Sequence, residues 1–144
     1  MRVYLDNCCL NRPFDDQAQA RVRLEAEAKL EIQQRIKHNK GIELVWSYML
    51  DFENQANPFG ERRELVALWK TEAAVDVEQS DAIIQQAREI AGRGLRAKDA
   101  LHVACAMAAG CEFFLTTDDI VVERMRGFAG IAVMDPTQFV VEVE

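Results

Sequence analysis

Residues 97–118 read AKDALHVACAMAAGCEFFLTTD, and this stretch decides how the chain is organised. Alanine, the strongest helix former, dominates its first half, so a helix is expected from Ala97 to a stop at Gly110. Phe113-Phe114-Leu115 is a short apolar run of the kind a fully buried strand requires, and Thr116-Thr117-Asp118-Asp119 has the small polar residues that open the next helix. Helix, glycine, buried strand and helix in about 25 residues is the rhythm of an α/β fold.

The flanking sequence keeps that rhythm. Val3-Tyr4-Leu5 reads as a buried strand that stops at Asp6-Asn7, and the Ala-, Leu-, Glu- and Arg-rich segment from Gln17 to His38 reads as the longest helix, ended by Asn39-Lys40-Gly41. Ile42 to Trp46 is a second strand, followed by Ser47 as the cap of a helix carrying Leu50 and Glu53 and closed by Asn57-Pro58-Phe59-Gly60. A helix over 61–73, a strand at Val75-Asp76-Val77, a helix from Ser80-Asp81 through Ile90 and a last strand around Ile131-Ala132-Val133 complete the pattern. The fold class that follows is α/β, with helices covering both faces of a central, mostly parallel sheet.

At 144 residues and 49% hydrophobic content the chain suits one domain spanning 1–144, with no repeat, linker or low-complexity segment. No run reaches the roughly 18 to 20 apolar residues of a membrane span, and the start lacks a signal-peptide layout, so a cytoplasmic protein without membrane contact is expected. Cys8, Cys9, Cys105 and Cys111 have no zinc-ligand spacing and read as buried, reduced thiols. Arg12 lies too close to Cys8 and Cys9 for a Cys-x5-Arg phosphatase loop, and position 8 is not the second acid that an aspartyl-phosphate phosphatase needs. The net charge of −7 repels a polyanion, so any contact with nucleic acid must be local and assisted by cations.

Ligands of parallel sheets bind beyond the carboxyl ends of the strands, where Asp6 and Asp118 are both expected. Glu53 and Asp99 sit on helices that can lean over the same crevice. At an effective dielectric near 20, two like charges about 5 Å apart repel by roughly 3 kcal/mol, against a domain stability of about 5 to 15 kcal/mol. Four convergent carboxylates therefore call for protonation or for hard cations, and an all-oxygen donor set suits Mg²⁺ or Mn²⁺. The expectation is that Asp6, Asp99 and Asp118 lie close enough to share one ion, with Glu53 at the rim. Taken singly, each acid has a structural reading: strand end, solvated helix residue, or helix amino terminus favoured by the dipole. Asp119 fits a Thr116-x-x-Asp119 helix cap.

Val3-Tyr4-Leu5-Asp6-Asn7 near the start, Glu53 after Ser47, and the run from Lys98-Asp99-Ala100-Leu101-His102 to Thr116-Thr117-Asp118 together resemble the PIN domain family in order and spacing, over nearly the whole chain. The resemblance implies a PIN-like three-layer α/β/α sandwich whose first strand is central, beside the one ending at Thr117. It implies a Mg²⁺- or Mn²⁺-dependent endoribonuclease with Asp6, Glu53, Asp99 and Asp118 as catalytic and metal-holding acids and Thr116 as a supporting hydroxyl; Asn7 and Asp119, beside two of the acids, are further supporting candidates by position. Many small bacterial members look like VapC toxins, so the resemblance also brings an antitoxin protein and pairing into a homodimer, for which Leu65, Leu68 and Trp69 offer an apolar patch. The alternative is a non-cleaving PIN-like module that binds RNA or protein.

One departure is visible: where the family often has Thr or Ser and then Asn after its first aspartate, this chain has Asn7-Cys8-Cys9 and then Asn11-Arg12-Pro13-Phe14. Asn7 is placed to orient Asp6. Arg12, Arg93, Arg96 and Lys98 flank the expected crevice and read either as phosphate contacts, because guanidinium forks match phosphate oxygens, or as solvated surface charge. His102 reads as the partner of a carboxylate or a helix-surface residue in preference to a proton carrier. Trp46, Trp69 and Phe139 read as core or interface residues, not base-stacking platforms.

Overall fold

The computed structural model describes residues 1–38 and 41–143. The stop expected at Asn39-Lys40 lies outside them. Five strands, β1 (Arg2–Leu5), β2 (Glu43–Ser47), β3 (Ala73–Val77), β4 (Phe113–Leu115) and β5 (Ala132–Met134), form one sheet in the order β3-β2-β1-β4-β5. All of its pairings are parallel. Parallel sheets are buried on both faces, and the composition of each strand follows its position. Val3, Tyr4 and Leu5 on central β1 are fully buried, whereas edge strand β3 alternates, leaving Ala74 and Asp76 exposed.

Among the described residues eight helices cover the sheet: α1 (Asn7–Asn11), α2 (Ala20–Lys37), α3 (Tyr48–Gln55), α4 (Gly60–Leu68), α5 (Asp81–Ala91), α6 (Ala97–Ala108), α7 (Asp119–Arg124) and α8 (Pro136–Glu142). Successive side chains of a strand point to opposite faces. On one face Tyr4 stacks on Phe114 at 5.2 Å between ring centroids and meets His102 of α6 edge-on, and α6 packs along α5. On the other face Phe113 meets Phe139 of α8 at 5.1 Å, and α8 packs on α2. This is the α/β/α sandwich expected from the sequence, with β1 central and paired to β4.

Two helices lie beyond the sequence reading, α1 directly after β1 and α8 after Asp135. Helix α4 also stops at Leu68, and a tight 3-10 turn over Trp69–Glu72 leads into β3 at Ala73, two residues before the predicted strand. At the end of α6, Cys111 N–H donates to Ala106 O at 3.0 Å and Gly110 N–H to Met107 O at 3.0 Å, a Schellman closure. Gly110 makes it with φ of +72°, a conformation that a Cβ disfavours. The chain therefore enters β4 only four residues after leaving α6, and Asp99 at the start of α6 is brought level with Asp118 past the end of β4.

Strand order reverses between β1 and β4: the chain builds outward through β2 and β3, then returns to β1's other side. A crevice opens at such a point beyond the strand ends. Asp6 N–H donates to Leu115 O at 2.9 Å, which fixes the two strand exits side by side.

Candidate functional site

A cleft of about 460 Å³ lies at this switch point, lined by Asp6, Asn7, Glu53, Asp99 and Asp118 at its inner end and by Arg96 and Lys98 at its margin. The four acids thus come from four separate parts of the chain into one depression, and Asp99 is on the same side of the sheet as Asp6.

Asp6 is nearly buried because β1 ends there and its side chain caps α1, accepting from Asn7 N–H at 2.8 Å. Its second oxygen accepts from the Thr116 hydroxyl at 2.9 Å, and the same Thr116 oxygen accepts from Asp118 N–H at 3.1 Å. Thr116, itself fully buried, therefore fixes both aspartates through one atom. Burial pushes the Asp6 carboxyl above its ordinary pKa, only partly offset by the charge of His102 and the hydroxyl of Thr116. The half-buried Cys8 Sγ lies 3.5 Å from Asp6 Oδ2 and 3.4 Å from Thr116 Oγ1, so the residue that departs from the family pattern touches both. All four cysteines are free thiols, and Cys9, Cys105 and Cys111 are buried, as expected.

Glu53 is held from beneath. Ser47 caps α3 by accepting from Leu50 N–H, and two turns later Glu53 meets His102 Nε2 at 2.5 Å. The other ring nitrogen, Nδ1, lies 2.6 Å from the Tyr4 hydroxyl, which lies 2.6 Å from Ser47 Oγ. Tyr4, Ser47 and His102 have no exposed surface. A buried imidazole needs partners on both nitrogens, and this chain supplies them from β1 and α3. Burial lowers the His102 pKa, but the Glu53 hydrogen bond and the charges of Asp6, Glu53 and Asp99 outweigh it and leave it raised. For Glu53 burial pushes upward, and the bond to and charge of His102 bring its carboxyl below the ordinary value. His102 is thus a carboxylate's partner.

Asp99 opens α6, and Arg96 three residues earlier reaches Asp99 Oδ2 with Nε at 2.9 Å and Asp118 Oδ2 with a terminal nitrogen at 3.5 Å. One exposed guanidinium therefore stands between two of the acids as an internal cation. Among the described residues no three His, Cys, Asp or Glu side chains are drawn closely enough to enclose an ion, short of the expected sharing by Asp6, Asp99 and Asp118. Each acid has turned to its own partner instead, Asp6 to Thr116, Glu53 to His102, and Asp99 and Asp118 to Arg96. The donor set nevertheless fits a hard divalent cation, being all carboxylate oxygen in one cleft with a cationic group already occupying the space between two of them.

Three other predicted residues lie elsewhere. Arg12 is tied to Asp15 at 3.0 Å and to buried Glu25 at 3.1 Å, facing α2 and not the crevice. Arg93 donates to the carbonyls of Arg124 and Arg126 and covers Phe128. Asp119 points outward into a double contact with Arg21, while Asp118 is the residue whose carboxylate caps α7. An aspartate one residue nearer the strand has the better geometry for the Ile120 and Val121 N–H groups, which the Thr-x-x-Asp reading did not anticipate. The structure adds Asn11, Asn57, Phe59 and Arg62, which line the outer end of the cleft. Asn57 and Phe59 belong to the Asn-Pro-Phe-Gly turn and Asn11 to the departure after Asp6, while Arg62 has no signal in the sequence.

The sequence profile of the PIN domain family matches residues 3–127. No curated protein sequence matches the chain. Among solved structures, the chain is similar to VapBC2 from Rickettsia felis bound to a DNA fragment from their promoter, with a TM-score of 0.59 at 10% identity over 94% of this chain and 98% of that one. It is also similar to PAE2754 from Pyrobaculum aerophilum, with a TM-score of 0.57 at 16% identity over 98% of this chain and 88% of that one. At such identities these likenesses establish the fold. The match along the greater part of the sequence establishes more, and the chain belongs to the PIN domain family.

Proposed function

We propose that the protein is an endoribonuclease that hydrolyses RNA phosphodiester bonds with Mg²⁺ or Mn²⁺, and that it is the toxin member of a toxin–antitoxin pair acting in the cytoplasm. PIN domains are generally nucleases. The observation that carries the reading is the convergence of Asp6, Glu53, Asp99 and Asp118 in one cleft at the β1/β4 switch point. These four would hold the cation, which supplies Lewis-acid polarisation of the phosphoryl group and a lowered pKa for water.

The chain's own residues set the conditions for that chemistry. Thr116 fixes Asp6 relative to Asp118, and His102 fixes Glu53. Arg96 and Lys98 place positive charge beside the acids, where an RNA phosphate would otherwise be repelled by a chain of net charge −7. In the overall reaction a water oxygen bonds to phosphorus, the bridging P–O bond breaks, and one water proton ends on the leaving oxygen. Asn7 supports Asp6 through its N–H.

The partners follow by likeness. VapBC2 from Rickettsia felis, bound to a DNA fragment from its promoter, supports a protein antitoxin for this chain. Exposed Leu65 and Leu68 beside half-buried Trp69 support pairing of two copies, which solution mass at micromolar concentration tests.

The engagement of Arg96 with Asp99 and Asp118 favours one second reading, a PIN-like module that binds RNA or protein without cutting it. Purified protein incubated with RNA and millimolar Mn²⁺ separates the two. Cleavage that is abolished by Asp99→Asn is the expected result; intact RNA with the wild-type protein refutes the nuclease reading.

A further inference from the structure

We infer that the outer end of the cleft, built by Phe59, Arg62, Asn57 and Asn11, is a seat for one unpaired nucleobase of the RNA whose phosphate lies at the acids. The identity of the polynucleotide rests on the nuclease reading above. The seat itself rests on separate observations.

The cleft has two chemically unlike ends. Its inner end presents carboxylates, whereas at its outer end the one carboxylate, Asp15, is already engaged by Arg12 at 3.0 Å and Arg62 at 3.3 Å. What remains there is aromatic and amide surface. Phe59 is 59% exposed. Yet it is not loose. The Arg62 guanidinium carbon lies 4.8 Å from the ring centroid, and Arg62 is anchored in turn on Phe14 O at 2.7 Å and over the Phe14 ring at 5.6 Å. Phe59 N–H donates to Asn57 Oδ1 at 3.1 Å, so the backbone that carries the ring is fixed as well.

An aromatic ring has two faces. Arg62 lies over one, and a side chain that keeps most of its surface exposed has room for a second planar group on the other. A fixed π face backed by a cation is the surface on which bases stack, and stacking tolerates every base because each has a π face. A base within a duplex is covered by its neighbours, so the seat selects unpaired nucleotides.

The amides supply continuity. Asn57 Nδ2 donates to Asn11 Oδ1 at 3.1 Å, and Asn11 Nδ2 donates to Asn7 O at 2.9 Å and Asn7 Oδ1 at 3.1 Å, so a ladder of carboxamides leads from the ring to the residue beside Asp6. Asn57 keeps a second N–H for a base edge. The cleft, about 460 Å³, is of the size that takes a small organic group.

The test is binding of a labelled hexaribonucleotide and of an abasic hexamer, followed by fluorescence anisotropy in the Asp99→Asn background so that RNA is not consumed. Phe59→Ala should weaken the Kd for the base-bearing oligomer about 5- to 100-fold and leave the abasic Kd unchanged. Phe59→Tyr, which keeps the π face, should restore binding. Equal losses on both oligomers, no loss on either, no restoration by tyrosine, or no RNA binding at all would overturn the seat. Cleavage by the protein with Asp99 intact is measured in parallel. Cleavage together with binding indifferent to Phe59 overturns the seat and leaves the nuclease reading standing; Phe59-dependent binding without cleavage does the reverse.

Discussion

Replacing Tyr4 with phenylalanine isolates the buried relay under Glu53. The ring keeps its stack on Phe114, so the perturbation removes one hydroxyl and nothing else. Ser47 Oγ retains the N–H of Leu50, but His102 Nδ1 has the Tyr4 hydroxyl as its partner and is left unmatched in a site without solvent. An unsatisfied buried polar group costs about 1 to 3 kcal/mol, a large part of the roughly 5 to 15 kcal/mol that holds a domain folded. For a chain of this size that is a fall in Tm of about 3 to 12 °C. Urea unfolding should show a lower midpoint at unchanged slope. Tyr48→Phe, on the half-buried first residue of α3, serves as the control and should change stability by less than about 0.5 kcal/mol. If Tyr4→Phe is equally silent, the ring alone carries the strand packing, and His102 is not positioned through Tyr4.

Two further outcomes follow from charge. Glu53, with its pKa lowered, contributes stability that is present above its unfolded value of 4.5 and lost as pH falls through the folded one; His102, with its pKa raised, contributes stability that is present below 6.5 and lost as pH rises through its folded value. The stability difference between wild type and Glu53→Gln should therefore peak between about pH 4.5 and 6.5, and a difference that is flat from pH 4 to 8 in urea titrations would remove the pair as an electrostatic unit. Asp6 has the opposite sense: its raised pKa gives stability that is complete below 3.8 and lost as pH rises through the folded value, so the metal-free Asp6→Asn protein should melt above metal-free wild type at pH 7.5. Millimolar Mn²⁺ should raise the wild-type Tm more at pH 7.5 than at pH 5, and that of Asp6→Asn far less, by mass action on the native site. Equal Mn²⁺ effects on both proteins would show that Asp6 is not a ligand.

The parts of the site that were legible in sequence are those set by local rules. Asp6 and Asp118 could be placed because each follows an apolar run too short for anything but a strand, and parallel strands put their exits together. Asp99 followed from the unbroken helix up to Gly110. Helix α1 escaped notice because Asn7-Cys8-Cys9-Leu10-Asn11 is five residues of modest helix propensity, too short to display a period, and its one signal was an Asp6 side chain already read as a strand end. Helix α8 had a better signal: Asp135 accepts from Thr137 N–H at 2.7 Å with Pro136 in the first helical position, a helix start that lies just past the strand expected around Ile131-Ala132-Val133. Arg12 and Arg93 were placed by proximity in sequence, but an arginine extends far enough for Glu25 or a helix-end carbonyl to claim it. The Phe59–Arg62 platform needs residues from α1, α4 and the loop before it in contact, and no period or motif encodes that.

The backbone routes to the four acids are unequal. Asp6, Asp99 and Asp118 belong to one block, because β1 and β4 are bonded at their exits, Thr116 ties two of the acids, and the closed turn at Gly110 binds the third to the same strand. Glu53 arrives on α3, and its side chain meets that block through His102. The site therefore joins three carboxylates carried by one block to a fourth that is tied to it through a side-chain bond, Glu53 to His102. Since Glu53 and Phe59 are six residues apart on the same stretch of chain, the fourth carboxylate and the outer lip of the cleft share one backbone support.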